Sequence, residues 1–210
     1  MSDDITRLIG AVKREVRNEI YQGKAAKVVV ASRVYDTGID DLWDAISNPE
    51  RLPRWFMAVE GDLRLGGRYQ LKGNAGGAIT RCEPPRELAM TWEFGGGVSW
   101  VEISLRPEGE GTHLQLRHIA HPEAHWEQFG PGAVGVGWEL GLRGLAKHVA
   151  DPATALSHED EEAWSISPEG KIMIRDSAEG WGKADVAAGE VPDDAMERAE
   201  RTRRFYSGEA

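Results

Sequence analysis

The stretch "HIAHPEAHW" brings His118, His121 and His125 close together, with Glu123 among them. Imidazoles and a carboxylate form a zinc-like ligand set, and three ligands with an open position are what catalytic zinc needs. The spacing argues against that chemistry. Residues three and four apart share a face on a helix, whereas this segment reads as a strand end bent by Pro122. Polar rim histidines are the simpler expectation, and no metal ligand is assigned. His118 stands apart, because alternation with Leu114 and Leu116 turns it toward the core. There a neutral imidazole can hydrogen-bond a ligand or a neighbouring acid.

Glu102 lies between Val101 and Ile103 in "VSWVEISLR". If Val101, Ile103 and Leu105 face the core, it is a solvated surface carboxylate. If the Trp100 face is inward, it becomes a buried acid with a raised pKa and a candidate acid or base. Periodicity leaves both open. Cys82, the single cysteine, cannot form an internal disulfide and has no neighbouring His in sequence, so it reads as a small structural residue. Gly130 to Gly135 spells GxGxxG, but a dinucleotide fingerprint follows a strand inside a βαβ unit, and here "HWEQF" precedes it. No GxSxG elbow, Walker loop, HExxH or CxxC pair is present. No catalytic residue and no cofactor are therefore assigned.

The elements that must position these residues are bounded first by composition. With 210 residues, 40% of them apolar, the chain can bury a sizeable core as one main domain with appendages. A net charge of −10 repels phosphate backbones, which excludes nucleic acid as an expected partner. No apolar run approaches the roughly 18 to 20 residues that span a bilayer, and "MSDDITRLIG" lacks the features of a signal peptide, so the expected location is cytoplasmic. The charge is uneven: from Asp151 onward there are 15 acidic and 7 basic residues. The expected organisation is an N-terminal helical extension over 1–26, a main domain over 27–150, and an acidic linker with a helical C-terminal extension over 151–210.

Ile5, Leu8, Ile9, Val12, Val16 and Ile20 recur at three- and four-residue intervals behind Ser2-Asp3-Asp4, the pattern of a capped amphipathic helix. "KVVVASRVY" from Lys27 reads as a strand. "DTGIDDLWDAISNPERLPRWF" reads as two short helices broken at Asn48-Pro49. From Val59 to Ala120 a meander follows: "RYQLKG", "GAITRC", "ELAMTWEF", "VSWVEISLR" and "THLQLRHIA", separated by Gly- and Pro-rich turns. Gly130–Ala150 is then a helix that spends Gly at 132, 135, 137, 141 and 144, each costing roughly 1 kcal/mol relative to Ala. Bare positions there serve either close approach of another element or room for a ligand. "PATALSHEDEEAW" is polar enough for a mobile linker. Ser167-Pro168 opens a helix carrying Ile174, Ala178 and Trp181, and a last helix from Pro192 to Tyr206 pairs Glu197 with Arg201 and Glu200 with Arg204.

The first strand, "DDLWDAISNPERLPRWF", the meander with "GDLRLGGRYQL" and "ITRCEPPRELAMTWEF", and the closing helix together resemble the START-like (SRPBCC) helix-grip superfamily. The branch they resemble is that of homologues of the activator of heat-shock protein 90 ATPase, over about Lys27 to Ala150, with terminal extensions like those of some actinobacterial members. The resemblance implies an α+β fold: a curved antiparallel sheet of about six to seven strands around a long C-terminal helix, two short helices after the first strand, and a hydrophobic cavity between sheet and helix. It implies a small hydrophobic or amphipathic ligand. The residues expected to line such a cavity are Trp55, Phe56, Tyr69, Met90, Trp92, His118, Gly137, Trp138 and Gly141.

Three functions remain open at this level. One is a ligand-binding protein, which needs an enclosed apolar site. Another is a chaperone-associated or regulatory interaction module, which needs an exposed apolar patch; here the terminal extensions, with Trp181 and Tyr206, either fold back as a lid or over a groove, or meet a protein partner or a second subunit in a homodimer. The third is a cyclase or hydrolase using His118 or Glu102 as acid or base.

Overall fold

A spacing of four is shared by helix and strand, and the first described segment takes the strand. Val12, Val16 and Ile20 are expected on a helix, yet Lys13–Tyr21 forms β1, with Val12 and Val16 buried and Ile20 exposed. Residues four apart also share a face on a strand, whose side chains alternate with period two. Arg14 is the intervening residue on that face, and its guanidinium turns inward to the buried Glu139. A search for apolar positions alone passes over it. Ser2-Asp3-Asp4, Ile5, Leu8 and Ile9 lie outside the residues that this computed structural model describes, which are 11–153, 155 and 163–209. Most of the expected acidic linker lies outside them too.

The strands that follow are β2 (Lys24–Tyr35), β3 (Val59–Gly61), β4 (Arg68–Leu71), β5 (Gly76–Glu83), β6 (Glu87–Phe94), β7 (Gly97–Glu108) and β8 (Gly111–Ala120). They form an open antiparallel sheet in the order β1-β2-β8-β7-β6-β5-β4-β3. Its eight strands exceed the expected six to seven because β1 stands where a helix is expected and β3 is only three residues long. Between β2 and β3 come helix α1 (Ile39–Ser47) and a 3-10 turn (Leu52–Arg54), the two short helices of the sequence pattern. After β8 come a short helix not expected from the sequence, α2 (Ala124–Phe129), then α3 (Gly132–Ala150), α4 (Pro168–Ala187) and α5 (Pro192–Tyr206). The class is α+β, of helix-grip type. Gly130, the first glycine of the GxGxxG run, caps α2 with φ 60, a turn between two helices and not a strand-to-helix phosphate loop.

Two compact units divide the chain, and their limits do not follow the change in charge near Ala150. One unites the described parts of Met1–Ala31, His121–Leu140 and Glu159–Ala210; the other unites Ser32–Ala120 with Gly141–His158.

In the first unit α4 packs against β1 and α5, and α2 packs against α5. Ser167 caps α4 by accepting the Gly170 N–H at 3.1 Å, with Pro168 in the first turn, as their types imply. Ile174, Ala178 and Trp181 are all buried. The Trp181 indole fills the space above Gly135, Thr202 that above Gly132, and the Tyr206 hydroxyl that above Gly137. These three glycines are sites of close approach.

In the second unit α1 packs against β7 and β8 over a core that includes Leu42, Ala45, Val101, Leu105, Leu114 and Leu145. The Tyr35 hydroxyl donates to the Leu142 carbonyl at 3.1 Å, fixing the second half of α3 to the end of β2. Gly144 backs directly onto the Trp55 carbonyl, where no Cβ fits. At Gly141 a Cβ would stand 3.4 Å from the Phe56 ring, an ordinary contact.

Candidate functional site

Register decides which side chains meet. In the β6–β7–β8 ladder Leu88 pairs with Ile103, Met90 with Val101 and Trp92 with Ser99, while Val101 pairs with His118 and Ile103 with Leu116. Paired residues share a face, so these side chains form one largely apolar surface. On the other face Ala89, Glu102 and Arg117 come into line, as do Glu87, Ser104 and Gln115.

The apolar face is only partly covered. Tyr69, Leu71, Ile79 and Leu88 form a buried cluster, and Trp43, Phe56, Met57, Leu63, Cys82, Met90 and Trp92 pack on it while staying half-buried. Along β6 exposure rises from Leu88 at 7% through half-buried Met90 and Trp92 to Phe94 at 61%, so the face opens toward the β6–β7 turn. Gly95 and Gly96 hold that turn with φ 59 and 84, which side-chain-bearing residues resist. Tyr69 anchors the cluster by donating its hydroxyl to the Thr91 carbonyl at 2.8 Å.

One polar pair lies on this face. His118 Nε2 and Ser99 Oγ share a hydrogen bond of 2.9 Å, and the His118 ring meets Trp92 edge-on with centroids 6.2 Å apart. Burial lowers the His118 pKa to about 4, so the ring is neutral at physiological pH and presents a hydrogen-bonding edge without charge.

Seven of the nine expected site residues fall in the second unit. Phe56, Tyr69, Met90 and Trp92 belong to the apolar cluster, His118 is on the same face of the sheet, and Gly141 faces Phe56. Trp55 stacks on Phe56 at 5.4 Å, with its indole N–H spent on the Ala45 carbonyl at 2.9 Å. Gly137 and Trp138 lie in the first unit. Gly137 leaves no room for a ligand, since a Cβ there would stand 2.9 Å from the Tyr206 hydroxyl. Trp43 and Met57, not among the expected residues, pack on the same cluster, and Ser99, also not expected, shares the face of Trp92. Ser99 had a readable signal, since it alternates in phase with Val101.

The other candidate groups separate. Glu102 is on the polar face, paired with Arg117 at 2.7 Å, so it cannot act with His118 across the sheet. It borders a hollow of about 200 Å³ lined largely by polar side chains, among them Arg81, Glu87, Gln115 and Arg117. His121 Nδ1 meets the Ala25 carbonyl at 2.9 Å and the exposed His125 ring lies against Phe129. Among the described residues no three His, Cys, Asp or Glu side chains are grouped to hold a metal ion. No helix among them is long and apolar enough to cross a membrane.

An open antiparallel sheet with a long helix and a half-covered apolar face defines a START-like protein. The sequence profile of the Activator of Hsp90 ATPase homolog 1-like proteins matches residues 36–150, and the chain belongs to that family. It is similar to CalU16 from Micromonospora echinospora. Against the CalU16 crystal structure the identity is 38% over 74% of this chain and 96% of that one, with a TM-score of 0.61; against its solution NMR structure the values are 34%, 85%, 97% and 0.69. Protein MLL2253 from Mesorhizobium loti shares the fold at 21% identity over 60% of this chain and 98% of that one, with a TM-score of 0.54. No curated protein matches significantly.

Proposed function

We propose that the chain binds a small hydrophobic or amphipathic molecule on the apolar face of β4–β8, with its body against Phe56, Met57, Met90 and Trp92 and a polar group near Ser99 and His118. One observation carries this reading: five large apolar side chains, Trp43, Phe56, Met57, Met90 and Trp92, stay half-buried over a buried cluster. Fully burying such a side chain contributes about 1.5–3 kcal/mol, so a fold that leaves several part-covered forgoes stability that a ligand restores on binding. A neutral imidazole edge beside a tryptophan supplies orientation in an otherwise apolar setting.

Titration with Nile red, a neutral dye that fluoresces in apolar surroundings, tests the reading alongside native mass spectrometry of the purified protein. Saturable binding of one dye per chain, lost in Met90→Glu while the thermal unfolding transition persists, is the expected result. Absence of saturable dye binding together with no co-purifying small mass overturns it.

A further inference from the structure

We infer that β1 pairs with β1 of a second copy of this chain, joining two molecules by an antiparallel strand contact about a two-fold axis. β1 is a terminal strand of the sheet, and no strand among the described residues pairs with its outer edge. Along its nine residues every second N–H and C=O faces that edge, a template for another strand.

The turn decides which groups face outward. Gln22 and Gly23, at φ 49 and 79, connect Tyr21 to Lys24 as a two-residue hairpin, in which the flanking pair exchanges both hydrogen bonds. Tyr21, and with it Glu19, Arg17, Glu15 and Lys13, therefore directs its backbone groups toward β2, and those of Arg14, Val16, Asn18 and Ile20 point outward. A second β1 can then pair even-numbered residues only with even-numbered ones.

Charge selects one register. With Val16 opposite Val16, Lys13 stands opposite Glu19 and Glu15 opposite Arg17, and the two-fold axis repeats both pairs. Slipping the pairing by two residues one way sets Glu15 against Glu15; slipping it the other way sets Arg17 against Arg17 and Glu15 against Glu19. The favoured register also places Ile20, the most exposed large apolar side chain among the described residues at 74%, opposite Val12 on the face that carries Val16. Alternating charge guards an edge against other strands, and here it leaves the strand complementary to itself.

Sedimentation of the full chain tests this, with two variants of the outer row. Lys13→Glu with Arg17→Glu makes that row acidic, and Glu15→Lys with Glu19→Lys makes it basic. The native chain should dimerise with a dissociation constant of about 10 μM, as befits a contact smaller than a standard interface. Each variant alone should sediment as a monomer, and an equimolar mixture should form a heterodimer, because every acid then faces a base. Ile20→Lys should weaken the native dimer about tenfold. A native chain that stays monomeric at about 200 μM overturns the inference. So do charge variants that dimerise alone, or a mixture of folded variants that stays monomeric. If either charge variant fails to fold, Ile20→Lys decides, and an unweakened dimer overturns the inference.

Discussion

Arg14 and Glu139 meet as a two-pronged ion pair: Nε and Nη2 of Arg14 reach Oε1 and Oε2 of Glu139 at 2.6 Å each, and the glutamate side chain is fully buried. The pair joins β1 to the first half of α3. Gly180 of α4 makes it possible, since a Cβ there would stand 3.0 Å from Arg14 Nε. Removing one member leaves an uncompensated buried charge, a loss of about 3–5 kcal/mol, whereas replacing both with apolar residues costs far less. Arg14→Met and Glu139→Leu should each lower the urea midpoint sharply, and the double variant should recover much of the loss. Additive losses would show that the pair is not what the single variants break.

The glycines of α3 should respond to alanine in opposite directions. At Gly141 a methyl makes ordinary contact with Phe56, so the helix propensity gain of up to about 1 kcal/mol should show as a raised melting temperature. At Gly144 it meets the Trp55 carbonyl and at Gly135 the Trp181 indole, where overpacking costs about 1–3 kcal/mol. Thermal melts of the three variants check the ordering. Equal effects would contradict the contacts assigned.

His118 makes stability depend on pH. Burial holds its folded pKa near 4 against an ordinary value of 6.5, so between the two the unfolded chain binds the extra proton. Stability therefore falls as pH drops through that window, by on the order of 3 kcal/mol in all. His118→Gln should flatten the urea midpoint between pH 6.5 and 4 relative to the native chain. An unchanged slope would assign the dependence to other groups.

Asp185 acts with the opposite sign. It is fully buried, neither carboxylate oxygen has a hydrogen-bond donor among the described residues, and Arg198 Nη1 stands 3.5 Å away. Burial raises its pKa above the ordinary 3.8, with Lys27 and Arg198 opposing and Glu190 adding to the shift. Folded chains then hold the proton more tightly, so this group costs stability as pH rises past 3.8. Asp185→Asn should melt higher than the native chain at pH 7 and lose that advantage toward pH 4. A lower melting temperature at pH 7 would mean that the Arg198 contact outweighs the burial.

The sheet was legible because "ELAMTWEF" and "THLQLRHIA" alternate cleanly, and alternation fixes which face is apolar; His118 followed from its phase with Leu114 and Leu116. The family resemblance supplied the order of elements, and Phe56, Tyr69 and Met90, three of the residues expected along a cavity, share one apolar cluster. What failed depended on partners far along the chain. Val12 and Val16, four apart, fit helix and strand alike, and the Arg14 between them, which meets Glu139, carried no apolar signal to mark the face of β1. Gly137 looked like room for a ligand because nothing local announces that Tyr206 returns to fill it. Glu102 was undecided from periodicity alone, and register with Arg117 resolved it. Ser99 was missed beside a glycine-rich turn, although its phase with Val101 was available.

Because the first unit is gathered from three separate stretches, the order in which the chain leaves the ribosome matters. Arg14 emerges early and waits for Glu139, and the bare positions at Gly132, Gly135 and Gly137 wait longer still for Thr202, Trp181 and Tyr206. Such distant contacts form slowly and leave apolar surface uncovered meanwhile. Helix α5 therefore closes this unit, after the elements it packs on have already emerged.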